Sequence, residues 1–554
     1  MMILQLLGLL ALAYLAWNLV AMEINYRRAS SLGIPVVRAC IDNSNVLWMM
    51  AQPHLQPWLD RVPIDWGSFG RYCRRDWPVI DGNQSHLRYG PIWALATPRK
   101  IYIHVTDSEA SHDIFQRRTD FIRPSEIYKV LEVFGPCLST ASWTNWPRHR
   151  KVLAAPFNEK VMSFVWDESV EQAGQMLDAW TAPDVDQIPG IDKDTRTLSL
   201  NVLAATGFGK SYSFRSANDP LNRSESDNYR DALRTVRDDC ILLMVAPRRL
   251  LTLPFVPESW HRVAKAAVDY KQHMVRMLNE ETRALNEGQA GAGGLITSFV
   301  RAMDLKQKED AKGKASGSPP KGLSIDEIFG NHFVINFAGH DTTANTLSFA
   351  MVLLAAYPEV QDWVAEELHM SRDTKGQYTD LFPKLNRCKA IMLEALRLFP
   401  PIPTLPKRTN NQPQPLKVGE RTVIIPPNIF VHPGLLSMHL HPQHWESPPI
   451  WKPSRWVTSA TTLEDEQVIT PQRCTYFPWS DGPQNCPGNK FSQVEFVAVV
   501  ATILREHRIH AVPEPGETFE DTRVRVLSTT RDVDMHLLLK MKDADRVRLV
   551  CERA

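Results

Sequence analysis

The stretch FPWSDGPQNCPGNKFSQVEF, residues 477–496, sets one cysteine between Asn485 and Pro487, with glycines at 482 and 488 and an amphipathic run directly after it. A cysteine that only packs needs no such loop. Glycines permit tight turns, so backbone N–H groups can point at the Cys486 sulfur. Those N–H groups and the start of the following helix favour a thiolate. A thiolate in a dry pocket can serve as the single protein ligand of a haem iron. The competing chemistry is a cysteine nucleophile, which calls for a histidine base that no local motif supplies.

Three further constellations carry chemistry. Ala338-Gly339-His340-Asp341-Thr342-Thr343 interrupts a long apolar helix with polar groups. A buried aspartate needs a partner because desolvating a carboxylate is costly. The glycine lowers helix propensity by about 1 kcal/mol relative to alanine, and a threonine hydroxyl can bond back to the chain. Such a place suits a small ligand, a water and a proton path; a satisfied polar bend is the plainer alternative. In MLEALRLFPP, Glu394 and Arg397 share a helix face. Leucines around them and the Pro400-Pro401 stop point to an inward, structural pair. In WTNWPRHRK, Trp146 precedes Arg150 by four residues, so an indole N–H and a guanidinium lie on one face and suit a carboxylate. WKPSRW sets Arg455 among tryptophans.

The elements that must position these residues follow from pattern. Ser324-Ile-Asp-Glu327 is a capping box opening the long apolar helix. Helices are expected around 359–370, 385–399 and 489–506, the last of them taken as the final helix. Residues 40–105 mix tryptophans, prolines and β-type pieces such as KIYIHV, and 108–300 is helical in pattern. From Pro400 the chain turns proline-rich and β-like. LKQKEDAKGKASGSPPKG, 305–322, reads as an exposed loop. GQAGAGG does not fit GxGxxG and follows no apolar strand, so it is no phosphate loop.

Met1–Met22 carries no charged side chain, and Arg27 and Arg28 follow it. About 20 apolar residues span a bilayer as helix. The reading is an uncleaved anchor over 1–22, a linker over 23–39 and one domain over 40–554, with the body cytosolic by the positive-inside tendency. The sequons at Asn83 and Asn222 should then stay unglycosylated. Lys and Arg together number 63 against 62 Asp and Glu, which argues against a nucleic-acid partner. The eight cysteines form no CxxC pair, which excludes a disulfide framework and a zinc-finger pattern.

Taken in order, these motifs resemble the cytochrome P450 family of haem-thiolate monooxygenases, and particularly its filamentous-fungal members through PWSDGPQNCPG and WPRHRK. The resemblance implies a mainly α fold with small β-sheets, forming one catalytic domain behind a transmembrane helix. It implies haem b held by Cys486, with Trp479 and Gly488 in the ligand loop. Asp341 and Thr342 become the proton-delivery pair, and Glu394, Arg397 and Arg455 a structural triad. Trp146 and Arg150 become propionate contacts, with Lys407 or Arg408 as a further one. The family loop reads FxxGxRxCxG; here Trp479 replaces the phenylalanine and Gln484 the arginine, removing a positive charge.

The implied activity is insertion of one oxygen atom from O2 into an apolar small molecule, such as a terpenoid or polyketide-like skeleton in fungal secondary metabolism. The implied electron source is NADPH through a separate cytochrome P450 reductase, with cytochrome b5 as a further donor, at the endoplasmic reticulum membrane. Alternatives are a haem-thiolate isomerase or dehydratase and a non-catalytic membrane haem protein. Segments 121–139, 230–260, 333–337, 401–405 and 527–530 are expected to line a mostly apolar pocket with no charged recognition point.

Overall fold

The computed structural model describes residues 2–214, 225–246, 248–289, 291–311, 321–370, 377–535 and 537–554. The core is built from helices that are apolar nearly all round. Helix Ile325–Ala356 buries every residue from Thr343 to Ala356, and helix Asn489–Leu504 is almost as fully enclosed. A helix of that kind has no solvent face and belongs at the centre of a large domain. Around the two pack helices Glu159–Trp180, Ile191–Phe208 and Asn386–Leu398, and one hydrophobic cluster joins all five. The capping box at Ser324 forms as expected. The Ser324 hydroxyl accepts the Glu327 N–H, while the Glu327 carboxylate accepts the Ser324 N–H.

The β structure lies to one side. Six strands run in the spatial order Val36–Arg38, Ile92–Ala96, Ile101–Val105, Phe430–Pro433, Lys407–Thr409 and Phe121–Ile122. Three two-stranded ladders complete it. Strand Lys407–Thr409 alternates its side chains between faces, which decides below which of two adjacent cations reaches the site.

Several expectations on the elements change. Residues 46–89 form four short helices rather than β-type pieces; Asn45 caps the first by accepting from the N–H groups of Leu47 and Trp48. Helix Asn489–Leu504 is not the last, because Phe519–Arg531 follows, capped by a Thr518–Asp521 box of the same form as that at Ser324. Helix Gly294–Ala311 runs into the segment expected as an exposed loop, whose residues 312–320 lie outside those described.

The N-terminal run forms helix Met2–Ser30, passing through the boundary expected at residue 23. Its end is fastened to the body: Asn25 Nδ2 donates to the Thr97 carbonyl at 2.9 Å, Glu23 pairs with Arg38 at 3.0 Å, and Ala29 is fully buried. The segment expected as a linker is therefore docked structure. Among the described residues no helix is long and apolar enough to cross a membrane. Side chains at 1–4, 7, 10 and 11 are not among those described. The Asn83 sequon is built into the fold, with Asn83 Nδ2 donating to the Leu440 carbonyl at 2.6 Å and Ser85 fully buried. Asn222 lies outside the described residues.

Candidate functional site

The cysteine loop is held by its backbone. The Cys486 N–H donates to the Trp479 carbonyl at 2.8 Å, closing the turns at 480–485. Gly482 has φ +69°, and a Cβ there would stand 2.6 Å from the Phe115 carbonyl oxygen, so only glycine fits. Trp479 Nε1 donates to Ser492 Oγ at 3.1 Å and fixes the indole to helix Asn489–Leu504. Gly488 is the N-cap of that helix. A Cβ on Gly488 would meet only the Cys486 sulfur, at 3.9 Å, and otherwise open space.

Of the eight free cysteines, six are buried and two, Cys40 and Cys486, are exposed. Cys486 is an unusual exposed residue, since burial is the main influence on its thiol and pushes the pKa up. The residue is thus exposed while protein still surrounds its thiol. The Gly488 N–H, as the loop's sequence led one to expect, and Arg150, which was not expected to act on the thiol, pull the other way, but burial outweighs them. A metal ion on the sulfur would reverse that balance, because a coordinating thiol is deprotonated outright. Cys474 is already engaged: its thiol lies 3.1 Å from Asp481 Oδ2, which also faces His112 Nδ1 at 2.9 Å. This cluster stitches helix Ser108–Gln116 to the loop.

Cations gather around the loop. Arg150, on helix Trp146–Ala154, donates through Nη1 to the Asn485 carbonyl at 2.8 Å and through Nη2 to Asn485 Oδ1 at 2.9 Å. It therefore clamps the residue before Cys486. Trp146 is buried four positions earlier, and among the described residues its indole N–H has no hydrogen-bond partner. Lys407 Nζ donates to Gln484 Oε1 at 2.9 Å. Arg408, its neighbour on the strand, turns the other way and pairs with Glu126 at 2.6 Å. Of the two candidates, Lys407 reaches the loop.

The second constellation is complete. Glu394 and Arg397 are fully buried and paired at 2.8 Å, and Arg455 Nε donates to Glu394 Oε1 at 3.0 Å. Sequence reasoning missed a fourth member, Trp456, whose Nε1 donates to Glu394 Oε2 at 2.8 Å. Arg397 also donates to the carbonyls of His439 at 2.9 Å and Pro448 at 2.7 Å. It thereby pins the segment that leads to the cysteine loop.

The third lies on helix Ile325–Ala356. Within this buried rod, Ala338 is exposed and Thr342, one turn on, is half-buried. Thr342 Oγ1 donates to the Ala338 carbonyl at 2.8 Å, so the hydroxyl does bond back, and the helix continues unbroken. Gly339 has a packing role, since a Cβ there would press on Leu203 at 3.0 Å. Asp341 has the partners its burial demands: Arg237 at 2.6 Å and Arg196 at 3.5 Å. Neither arginine was legible in advance, Arg237 being 104 residues away in the chain. A cavity of about 40 Å³ beside them is lined by Phe337, as expected, but also by Arg196, Arg237, Asp341 and Lys540.

Comparison with known proteins decides the family. The cytochrome P450 family profile matches residues 67–536. The chain is a cytochrome P450. It is 27% identical to a cytochrome P450 monooxygenase of Arthrobotrys oligospora, over 98% of each chain. It is 25% identical to one of Penicillium rubens, over 91% of this chain and 90% of that one. A phomenoic acid biosynthesis cluster cytochrome P450 monooxygenase of Leptosphaeria maculans is 26% identical, over 89% and 90%. A solved cytochrome P450 shares the fold with a TM-score of 0.64 and 20% identity, covering 86% of this chain and 98% of that one. This P450 is therefore an oxidoreductase of a family that uses thiolate-ligated haem and electrons from a redox partner. The residues present fit that group. Cys486 is exposed, the space beside Gly488 is free, and among the described residues the Trp146 indole N–H is unpartnered and Arg150 and Lys407 reach the loop without carboxylate partners.

Proposed function

We propose that this P450 is a monooxygenase that inserts one oxygen atom from O2 into an apolar small molecule, with Cys486 as the axial ligand of haem b. The observation that carries the reading is the exposed Cys486, with free space beside Gly488, on a loop whose geometry only glycine at 482 allows. Bound there, haem supplies the oxygen activation, and a thiolate ligand favours O–O cleavage.

The chain's own residues do the rest. Arg150 and the Trp479 carbonyl hold the loop, and Glu394 with Arg397 and Arg455 hold the segment before it. Thr342 offers a hydroxyl whose bond to the Ala338 carbonyl can be exchanged for one to a water or substrate. Asp341 supplies the carboxylate one residue away, and it accepts a proton only after loosening from Arg237. The support for an apolar substrate is the exposed Ala338 on the central helix, one turn before Thr342. The resemblance to a biosynthesis-cluster P450 supports a role in fungal secondary metabolism, on a terpenoid or polyketide-like skeleton.

Electrons come from NADPH through a separate reductase, with cytochrome b5 as a further donor. We place the protein at the endoplasmic reticulum membrane, held by its first helix with the catalytic domain cytosolic. The support is the row of outward apolar side chains on Met2–Ser30, among them Leu9 at 65% and Trp17 at 72% exposure, which no other part of the protein covers.

The test is the absorption spectrum of the reduced, CO-bound protein, wild type beside Cys486→Ser. A strongly red-shifted Soret band that vanishes in the variant is the expected result. A band indifferent to Cys486 would remove the ligand assignment.

A further inference from the structure

Cys474 is 3% exposed and packs with Phe115, Leu435, Met438 and Phe477. A cysteine that only fills such a cluster behaves as a small hydrophobe. This one keeps polar company: its sulfur lies 3.1 Å from Asp481 Oδ2, and the same oxygen faces His112 Nδ1 at 2.9 Å. The thiol sulfur, an imidazole nitrogen and a carboxylate oxygen all lie within 4.8 Å of one another. Zinc binds such atoms at about 2.0–2.3 Å, so in a tetrahedral site they stand about 3.3–3.6 Å apart. The two short separations therefore need to widen by only about half an ångström.

The surroundings suit an ion as well. The other Asp481 oxygen accepts the Gly482 N–H at 2.6 Å, which orients the carboxylate as outer-shell partners do in metal sites. The His112 and Asp481 side chains are 23% and 30% exposed, which gives an entry path from solvent. Arg473 Nη1 stands 3.3 Å from His112 Nε2, and Arg473 is itself exposed and free to swing outward.

We propose that His112, Cys474 and Asp481 form a binding site for one divalent ion of the zinc type, outside the haem site, with the fourth position left to water. Sulfur, imidazole and a single carboxylate select Zn²⁺ or Cd²⁺ over Mg²⁺ and Ca²⁺, which are held by oxygen. On binding, the Cys474 S–H bond breaks, a sulfur–metal bond forms and one proton leaves to solvent; no electron moves. His112 exchanges its proton from Nδ1 to Nε2 through solvent, and Asp481 stays a carboxylate. The ion ties helix Ser108–Gln116 to the loop five residues ahead of Cys486.

The experiment uses the haem-loaded full chain, reduced and stripped of free metal with a chelator. Wild type, Cys474→Ser and His112→Gln are dialysed against Zn²⁺, and the bound metal is counted by atomic absorption. A parallel Cd²⁺ titration follows the sulfur-to-metal charge-transfer absorption in the ultraviolet, and the reduced CO spectrum at its end shows whether Cys486 still holds haem. Wild type is expected to retain one zinc equivalent more than either variant. Each variant should bind that equivalent about a hundredfold more weakly or worse, since outer-shell changes alone cost about 10–100-fold. Cd²⁺ should raise a sulfur band in wild type that Cys474→Ser lacks, with the CO spectrum unchanged. His112→Gln, on a partly exposed side chain, keeps the test decisive if Cys474→Ser folds poorly. Equal zinc counts in wild type and either folded variant, or no zinc retained by wild type, overturn the proposal and leave the cluster as a hydrogen-bonded stitch.

Discussion

Asp341 and Arg237 form a buried ion pair between the long central helix and helix Glu225–Asp238, with Arg237 Nη1 donating to both carboxylate oxygens at 2.6 and 2.8 Å. Their side chains are 3% and 8% exposed. A pair so enclosed is costly to break by removing one member, by about 3–5 kcal/mol. Here the second arginine, Arg196 at 3.5 Å, would keep the loss for Arg237→Met toward or below the lower end. If Asp341 also moves protons, Asp341→Asn should lower kcat by about two orders of magnitude or more while the reduced CO spectrum stays unchanged. Turnover by Asp341→Asn at the wild-type rate would leave the residue as a strut alone. Thermal melts and steady-state rates on the same preparations separate the two roles.

Glu394 gathers five hydrogen bonds: two from Arg397 at 2.8 Å each, and one each from Arg455, Trp456 and the Lys452 N–H. Arg397→Ala should therefore cost about 3–5 kcal/mol and lower the ratio of Soret to protein absorbance, because the segment Arg397 pins leads into the cysteine loop. Arg455→Ala should cost less, since Glu394 keeps Arg397. Equal melting temperatures for wild type and Arg397→Ala would contradict this account.

Two glycines in the loop separate the needs of the fold from those of the cofactor. At Gly482 an alanine meets φ +69° and a 2.6 Å approach to the Phe115 carbonyl, so Gly482→Ala should lower stability by at least about 1–2 kcal/mol even in apoprotein. Gly488 has φ −89°, and its Cβ would meet nothing but the Cys486 sulfur at 3.9 Å. Gly488→Ala should therefore leave the apoprotein melt unchanged and weaken haem retention, because the added methyl enters the space that the cofactor would take. An alanine at 488 that binds haem as firmly as wild type would show that this space is not used.

What was legible in advance divides along physical lines. Ser324, Glu327, Glu394, Arg397 and the Cys486 loop could be read because their partners lie within a few residues or their types leave few roles. The four helices of residues 46–89 were obscured by tryptophans and prolines that read as irregular chain, although Asn45 was available as a cap. Helix Phe519–Arg531 had a cap of the kind recognised at Ser324, with aspartate in place of glutamate. Arg237 could not be found, since its meaning comes from a contact across 104 residues. Choosing Lys407 over Arg408 required the strand's register, which no spacing in the sequence supplies.

Glu495 offers a pH test on the helix that follows the ligand loop. It is fully buried, neither carboxyl oxygen has a hydrogen-bond partner among the described residues, and burial raises its pKa to about 8 against a small opposing effect of the Ser199 hydroxyl. The unfolded chain releases this proton near pH 4.3 and the folded protein keeps it to about 8. Between those values the unfolded state binds fewer protons, so stability falls as pH rises, by up to ~1.4 kcal/mol per pH step. Glu495→Gln cannot ionise and lacks that slope. Its melting temperature should therefore gain on wild type steadily from pH 5 to pH 8 and stop gaining above that. Parallel curves for the two proteins across this range would mean that Glu495 finds a partner in solution.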